Sequence, residues 1–137
     1  MTLESPEALQ NWGERYAQET LKSGDLILVS GEMGAGKTTL AQGIACGLGI
    51  KETVTSPTFN KLNIYMGHWT FYHLDLYNVA SHDELERLGI YEILEPTDGV
   101  CLVEWWENLS PISLPPHRRI ELEILESGRS LRAIDIA

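Results

Sequence analysis

The eight residues 31–38 read GEMGAGKT, and they decide the fold. They fit the pattern G-x-x-x-x-G-K-[ST], with an additional glycine at Gly34. Residues 25–29, DLILV, predict a short buried strand directly before them. Helical spacing predicts a helix over about Lys37–Leu48, with Gly49 at its end. A glycine-rich turn that joins a strand to a helix is the context that a phosphate-binding P-loop requires.

The residue types in this loop suit a nucleotide triphosphate held together with Mg²⁺. Glycines let backbone N–H groups close around phosphate oxygens without Cβ clashes, and the helix N-terminus adds its positive dipole end. In this pattern Lys37 reaches the outer phosphates and the Thr38 hydroxyl reaches Mg²⁺. We therefore expect ATP and Mg²⁺ as cofactors, and a nucleotide-binding set made of Met33, Gly34, Ala35, Gly36, Lys37, Thr38 and Thr39.

The sequence signals for the site that binds the nucleotide base are weaker. ATP is favoured over GTP because the guanine-reading pattern N-K-x-D is incomplete: residues 60–63 read NKLN. A C-terminal hairpin is predicted because isoleucine and leucine alternate with glutamate over 120–124 and Gly128 then turns the chain. We expect the adenine between the N-terminal segment near Glu7 and this hairpin, where Arg129 could stack on it.

Two carboxylates that follow apolar strands are candidates for the metal side of the site. Glu104 follows VCLV at residues 100–103, and Asp75 follows FYHL at residues 71–74. A P-loop enzyme holds Mg²⁺ or its water with such an acid. The strand before Glu104 is the purer apolar run, as in a central strand buried on both faces. The residues leave both acids open, with a solvated strand-end carboxylate as the alternative for each; we expect both beside Lys37 in the catalytic site.

Residues 53–59, TVTSPTF, predict a switch loop after the P-loop helix. Its hydroxyls, that of Thr58 among them, could reach the γ-phosphate or Mg²⁺, as in nucleotide-gated proteins. Pro57 would stiffen the turn. Composition alone fits a plain β-turn as well.

Trp105 and Trp106 follow the second acidic strand end. Because side chains alternate along a strand, one indole should face the core and the other should not. An exposed tryptophan here predicts a docking surface or a base-stacking wall. His73 lies two residues before Asp75, so the two share a strand face, and core packing is the expected role of the histidine.

Composition limits the classes of partner. The chain has 137 residues, which fits one domain over 1–137, and 20 acids against 10 bases give a net charge of −10. Unaided RNA binding is not expected, since two basic residues are adjacent in the sequence only at Arg118-Arg119 and phosphate contacts need clustered cations.

No apolar run is long enough to span a membrane, and the first residues lack a secretory signal, so a cytoplasmic protein is expected. Cys46 and Cys101 are expected to be two buried thiols.

The remaining helix-capping and turn residues complete the prediction of an α/β fold. A helix should begin at Ser5-Pro6 and end near Gly24. Two strands, 61–66 and 69–76, should turn at Gly67-His68, and a capping box at 81–84 should open a short helix. We expect the P-loop NTPase fold: a mostly parallel central sheet flanked by helices, with antiparallel strands at one end.

In chain order, GEMGAGKTTL, SPTF, FYHLDLY, ELERLGI and LVEWWE resemble the TsaE family, the P-loop ATPases of bacterial tRNA threonylcarbamoyladenosine synthesis. The resemblance runs from the first helix to Trp106. It implies that Thr38 and Glu104 ligate Mg²⁺ and that Asp75 supports the site. It also implies partners, homologues of TsaB and TsaD, with tRNA reached only through them, and a switch and partner surface made of Ser56, Pro57, Thr58, Phe59 and Trp105.

Three departures from the family pattern stand out: Asn78 replaces a usual arginine after D-L-Y, Trp106 replaces a usual proline after E-W, and Leu9 stands where a threonine is common in the first helix. The expected function is ATP binding and slow hydrolysis coupled to the tRNA-modifying partners. A small-molecule kinase shares the same loop but needs a lid and several arginines around the transferred phosphate. A non-catalytic module, in which ATP only sets the shape that docks, needs the same residues as the hydrolase and stays open.

Overall fold

The computed structural model describes residues 1–57, 60–79, 81–109 and 113–136. The helices are α1 (Pro6–Glu19), α2 (Lys37–Gly47), α3 (His82–Arg87) and α4 (Ile90–Leu94), with a 3₁₀ helix at Trp106–Leu109. The strands are β1 (Thr2–Leu3), β2 (Leu26–Ser30), β3 (Leu62–Met66), β4 (Thr70–Asp75), β5 (Val100–Glu104), β6 (His117–Leu125) and β7 (Gly128–Ile136).

One mixed sheet joins the strands in the order β1-β7-β6-β2-β5-β4-β3. The centre is parallel, since β2 pairs with β5 and β6, and β5 pairs with β4. Antiparallel pairs close both edges: β3 with β4 on one side, and β6 with β7 and β7 with β1 on the other. The expected fold class and both predicted hairpins are therefore confirmed. The carboxyl ends of β2, β4 and β5 meet at one edge of the sheet, where open α/β sheets form their crevices.

The core lies on both faces of the sheet. One face packs against α1 and α2 through residues such as Leu40 and Ile44, and the other against α3, α4 and the 3₁₀ helix. All of β5 and the first four residues of β2 are buried, as their continuous apolar runs predicted. Within the described ranges, no helix is both long and apolar enough to cross a membrane.

Two local expectations are wrong. Helix α1 starts as predicted, with the Ser5 hydroxyl accepting from the Ala8 N–H at 3.1 Å, but it ends at Glu19 and not near Gly24. The N–H groups of Thr20 and Leu21 both donate to the Tyr16 carbonyl, at 2.9 and 3.1 Å, and a bond to the fifth residue back is typical of a helix C-terminus. The helix that follows the confirmed Ser81 cap ends at Arg87, with Leu88 as its C-cap and Gly89, in the left-handed conformation, directly after it. Gly89 is also the N-cap of helix α4, which the sequence did not predict.

The second error concerns the cysteines. Cys101 is buried in β5 as expected, but Cys46 is exposed on α2, and both are free thiols. Cys46 lies one residue beyond the buried Ala45, so the rotation of the helix carries its side chain out of the core.

Close packing of α1 on α2 sets the position of the helix that follows the P-loop. The two helices meet over glycines, and a Cβ at Gly43 would collide with the main-chain carbonyl of Gln10. At Gly13 a Cβ would come within 3.0 Å of the Leu40 carbonyl oxygen. The backbones therefore approach more closely than side chains would allow.

We expect Gly43→Ala to destabilise the protein by about 1–3 kcal/mol, the usual cost of overpacking a core. Alanine in a helix interior is normally more stable than glycine, so the sign is reversed by the contact with Gln10. Chemical denaturation measures the change. Gln18→Ala, on the exposed side of α1, is the control and should stay within about 0.5 kcal/mol of the parent. A neutral or stabilising Gly43→Ala would contradict this packing.

Candidate functional site

A pocket of about 530 Å³ lies where the carboxyl ends of β2, β4 and β5 meet the start of α2. It brings together most of the residues that the sequence singled out. Its lining consists of Met33, Gly34, Gly36, Lys37, Thr38, Thr39, Ser56, Asp75, Tyr77, Asn78, Glu104 and Trp105.

The loop between β2 and α2 uses backbone angles that only glycine adopts easily. Gly34 and Gly36 have φ values of 85° and 106°, and Gly36 caps α2 without a side-chain hydrogen bond. A Cβ at Gly34 would meet nothing within 4 Å, so this glycine borders open space. Ala35 between them is fully buried and anchors the loop. The loop thus presents main-chain groups and a helix N-terminus to the pocket, which suits an anionic ligand.

Lys37 is held inside this loop by two contacts. Its Nζ donates to the Gly31 carbonyl oxygen at 2.7 Å and lies 3.9 Å from the ring centroid of Trp105. Only 7% of the residue is exposed. Burial lowers the pKa of the Lys37 ammonium below its ordinary value, and neighbouring carboxylates, Glu104 first among them, partly offset this.

The two candidate acids are direct neighbours across the sheet. Asp75 and Glu104 are register partners on the parallel strands β4 and β5, so both reach the same end of the pocket. Asp75 is half-buried; its Oδ1 accepts from the Tyr77 N–H at 3.0 Å and its Oδ2 from the Ser56 hydroxyl at 3.3 Å. Glu104 is only 3% exposed.

Glu104 has a partner that sequence reasoning missed. Its Oε2 lies 2.5 Å from Nε2 of His73, a residue with no exposed surface. The expected core position of His73 is confirmed, but packing is not its only contact. Its register partner on β5 is Leu102, two residues before Glu104, so the histidine and the glutamate share a face of the sheet. The sequence does not show that His73 lies beside Glu104, because this follows only once β4 and β5 are known to be neighbours.

The expectation that the two tryptophans alternate along a strand is wrong. Strand β5 ends at Glu104, and Trp105 has a left-handed backbone with φ of 56°. Both indoles are half-buried. The Trp105 ring covers Lys37 and lies 5.0 Å from the Tyr77 ring, whereas Trp106 donates its Nε1–H to the Ser30 hydroxyl at 2.8 Å.

A second pocket of about 170 Å³ adjoins the other side of the loop. Arg129 lines it and donates from Nε to the Ala35 carbonyl and from Nη2 to the Gly34 carbonyl, each at 3.2 Å. Glu7 is exposed on α1 and does not line this pocket. The N-terminal side is instead formed by Leu3, Glu4, Ser5, Pro6 and Leu9.

The expected switch loop is described only in part. Ser56 lines the larger pocket, and the Pro57 carbonyl accepts from the Lys61 N–H at 2.9 Å. Thr58 and Phe59 lie outside the described residues, so their expected roles stay predictions.

The oxygen-bearing side chains at the pocket fit Mg²⁺ in its usual protein setting. Among the described residues, no cluster of three or more His, Cys, Asp or Glu could by itself hold a metal ion. Such a cluster is not required for Mg²⁺, which proteins commonly bind through one or two carboxylates together with substrate phosphates and water. Thr38, Asp75 and Glu104 supply such hard oxygen ligands in one pocket.

Comparison with known proteins decides the family. The model of the family described as "Threonylcarbamoyl adenosine biosynthesis protein TsaE" matches residues 3–134. This chain belongs to the TsaE family. Two proteins named tRNA threonylcarbamoyladenosine biosynthesis protein TsaE illustrate the likeness. The one from Treponema pallidum is 39% identical over 92% of this chain and 90% of its own. The one from Rickettsia typhi is 36% identical over 97% and 92%.

A solved structure supports the fold. The crystal structure of YdiB from Bacillus subtilis matches 96% of this chain and 80% of its own with a TM-score of 0.73 and 30% sequence identity. The suspected membership of the TsaE family, with its role in tRNA threonylcarbamoyladenosine biosynthesis, is thereby confirmed, as is the P-loop fold.

The left-handed backbone at Trp105 gives a stability test. At this position Trp105→Gly should be more stable than Trp105→Ala by about 1 kcal/mol, because an L-residue pays that cost in the left-handed region and glycine does not. Trp106, in the 3₁₀ helix, is the control, where the alanine variant should be the more stable of the pair. Denaturation curves of the four variants measure both orders. The same order at both positions would contradict the assigned conformation.

Proposed function

We propose that this TsaE-family chain binds ATP with Mg²⁺ and hydrolyses it slowly, and that it serves tRNA threonylcarbamoyladenosine formation together with homologues of TsaB and TsaD in the cytoplasm. One observation carries the proposal: a buried lysine from the P-loop and two neighbouring strand-end carboxylates, Asp75 and Glu104, line the same pocket.

In this proposal the phosphates lie against the N-terminus of α2 and the main chain of residues 33–38. Lys37 exchanges its contact with the Gly31 carbonyl for the outer phosphates, and the added anion raises its pKa again, which favours the ammonium. The Thr38 hydroxyl and the Glu104 carboxylate hold Mg²⁺, and Asp75 supports them from the neighbouring strand. The bound ion neutralises charge on the transferred phosphoryl group.

The adenine is proposed to enter the smaller pocket. Arg129 already directs N–H groups to the carbonyls of Gly34, Ala35 and Gly128, so it can meet a base with the face of its guanidinium group. The opposite wall is residues 3–6 in place of Glu7. The base would then sit beside the loop that holds its phosphates.

Slow turnover follows from the charges of the larger pocket. Lys37 is the single lysine or arginine among the described residues that line it, and Asn78 stands in the lining where the family pattern usually has arginine. Rapid phosphoryl transfer normally employs a second cation, often an arginine supplied by a partner protein. With a net charge of −10, tRNA is reached through the partner proteins and not directly.

The switch role proposed for residues 56–59 and Trp105 is supported by the contacts that Ser56 and Trp105 make with the two charged ends of the site. Ser56 donates to Asp75, and the Trp105 indole covers the Lys37 ammonium. A ligand that moves Lys37 changes its contact with the indole, which gives two states that a partner can distinguish.

Two alternatives differ in their support. A small-molecule kinase is disfavoured because no arginine lines the pocket among the described residues. A non-catalytic nucleotide-gated module is favoured by the same single cation, since binding without turnover needs no second one. Phosphate release, measured alone and with the partners, separates this module from the hydrolase.

Lys37→Ala tests the phosphate assignment. We expect hydrolysis to become undetectable while the fold survives, because Lys37 is the one side-chain cation directed at the phosphates. Phosphate release and the yield of modified tRNA should be measured in a system reconstituted with TsaB and TsaD homologues. Lys51→Ala, which removes an exposed lysine, is the matched control. Normal turnover by Lys37→Ala would remove the assignment, and full modification without any partner would remove the proposed pathway role.

Glu104→Gln tests the metal assignment. We expect Mg²⁺-dependent hydrolysis to fall at least about 100-fold, because a metal ion supplies several kcal/mol of charge stabilisation. ATP affinity in EDTA should change far less. Glu107→Gln makes the same substitution at an exposed position outside the lining and should leave both quantities near the parent values. Equal losses of hydrolysis and metal-free binding would indicate a structural Glu104 and make Asp75 the leading metal-side acid.

A further inference from the structure

His73 and Glu104 form a buried polar pair directly behind the larger pocket. Nε2 of His73 and Oε2 of Glu104 are 2.5 Å apart, with side-chain exposures of 0% and 4%. His73 does not line the pocket, whereas Glu104 does. The glutamate therefore connects the pocket to a histidine that the ligand itself cannot reach.

We propose that His73 is a positioning residue for Glu104. Its Nε2–H donates to Glu104 Oε2, which fixes the carboxylate and leaves the other oxygen for the metal ion or a water bound to it. This rests on the proposed function, in which Glu104 is the metal-side acid. No contact between His73 and the nucleotide or the metal is involved.

The surroundings of His73 hold its side chain rigidly. His73 lies inside β4, which pairs with β3 on one side and β5 on the other. Its ring stacks on Phe71, with centroids 5.8 Å apart and an interplanar angle of 17°. A glutamate has three side-chain torsions, and restricting them costs conformational entropy. A hydrogen bond from a rigid donor lowers the number of accessible rotamers before any ligand arrives.

Packing alone does not explain a histidine at this position. Nδ1 of His73 is buried and has no hydrogen-bond partner among the described residues. A buried polar atom without a partner carries a desolvation cost, which an aromatic hydrocarbon such as Phe71 on the same strand avoids. The polar contact that offsets this cost is the one with Glu104, and a charge-assisted hydrogen bond is of the stronger kind. Residues in this indirect role typically change metal affinity 10- to 100-fold when replaced.

The test compares four variants. His73→Phe keeps a ring in the core but removes the donor. His73→Gln retains an amide N–H that can reach the position of Nε2, whereas His73→Asn is too short to reach it. Phe71→Leu loosens the stack on the histidine ring but keeps the Nε2–H donor, so it measures the contribution of packing alone.

The readout is Mn²⁺ affinity of the protein in the presence of a non-hydrolysable ATP analogue, measured by electron paramagnetic resonance, beside analogue affinity in EDTA. We expect His73→Phe and His73→Asn to weaken Mn²⁺ binding about 10- to 100-fold with less than about a twofold change in metal-free affinity. His73→Gln should recover most of the loss, and Phe71→Leu, which keeps the donor, should lose less affinity for Mn²⁺ than His73→Phe does.

Wild-type Mn²⁺ affinity in His73→Phe, or equal affinities in His73→Gln and His73→Asn, would overturn the proposal. If His73→Phe does not fold, the glutamine and asparagine pair makes the same comparison. The wild-type protein supplies an independent measurement: its imidazole ¹H–¹⁵N spectrum should show a slowly exchanging, downfield Nε2–H for His73, and absence of this signal would also overturn the proposal. Failure of the wild type to bind Mn²⁺ with the analogue would instead overturn the proposed function itself.

Discussion

The alignment of three parallel strands is the constraint on which the site depends. Strand β2 leads into the P-loop, and its Val29 is in register with Glu104 of β5, which is in register with Asp75 of β4. Because parallel strands end at the same edge, the loop and both carboxylates meet without any long side chain crossing the sheet. A one-residue slip of β5 would turn Glu104 to the opposite face and separate it from Lys37.

The charges of the site depend on one another. Burial alone lowers the pKa of Lys37, and the carboxylates around it oppose that effect. Glu104 in turn is buried and depends on a hydrogen bond from His73. Removing one member leaves another charge in a place where water cannot compensate for the loss. Such an arrangement favours ligand binding over the stability of the ligand-free protein, as functional sites commonly do.

Local pattern predicted much of this fold, and it failed where the chain leaves regular structure. Continuous apolar runs identified β2 and β5, and a Ser-x-x-Glu pattern placed the cap of α3. The tryptophan pair was misjudged because alternation holds only while the strand continues, and the backbone turns left-handed at Trp105. The end of α1 was misplaced because the turn that closes it, in which Thr20 and Leu21 both donate to the Tyr16 carbonyl, contains no glycine to mark it in the sequence.

From the sequence alone came the glycine-rich loop between β2 and α2, the two strand-end acids and the family, because each depends on residue types at short, regular spacing. Tertiary structure alone decided which strands are neighbours, and hence that His73 contacts Glu104, that Trp105 covers Lys37 and that Arg129 contacts the P-loop. These pairs are 31, 68 and 94 residues apart in the chain. No local pattern encodes such contacts, since they arise only when sheet order and register bring distant segments together.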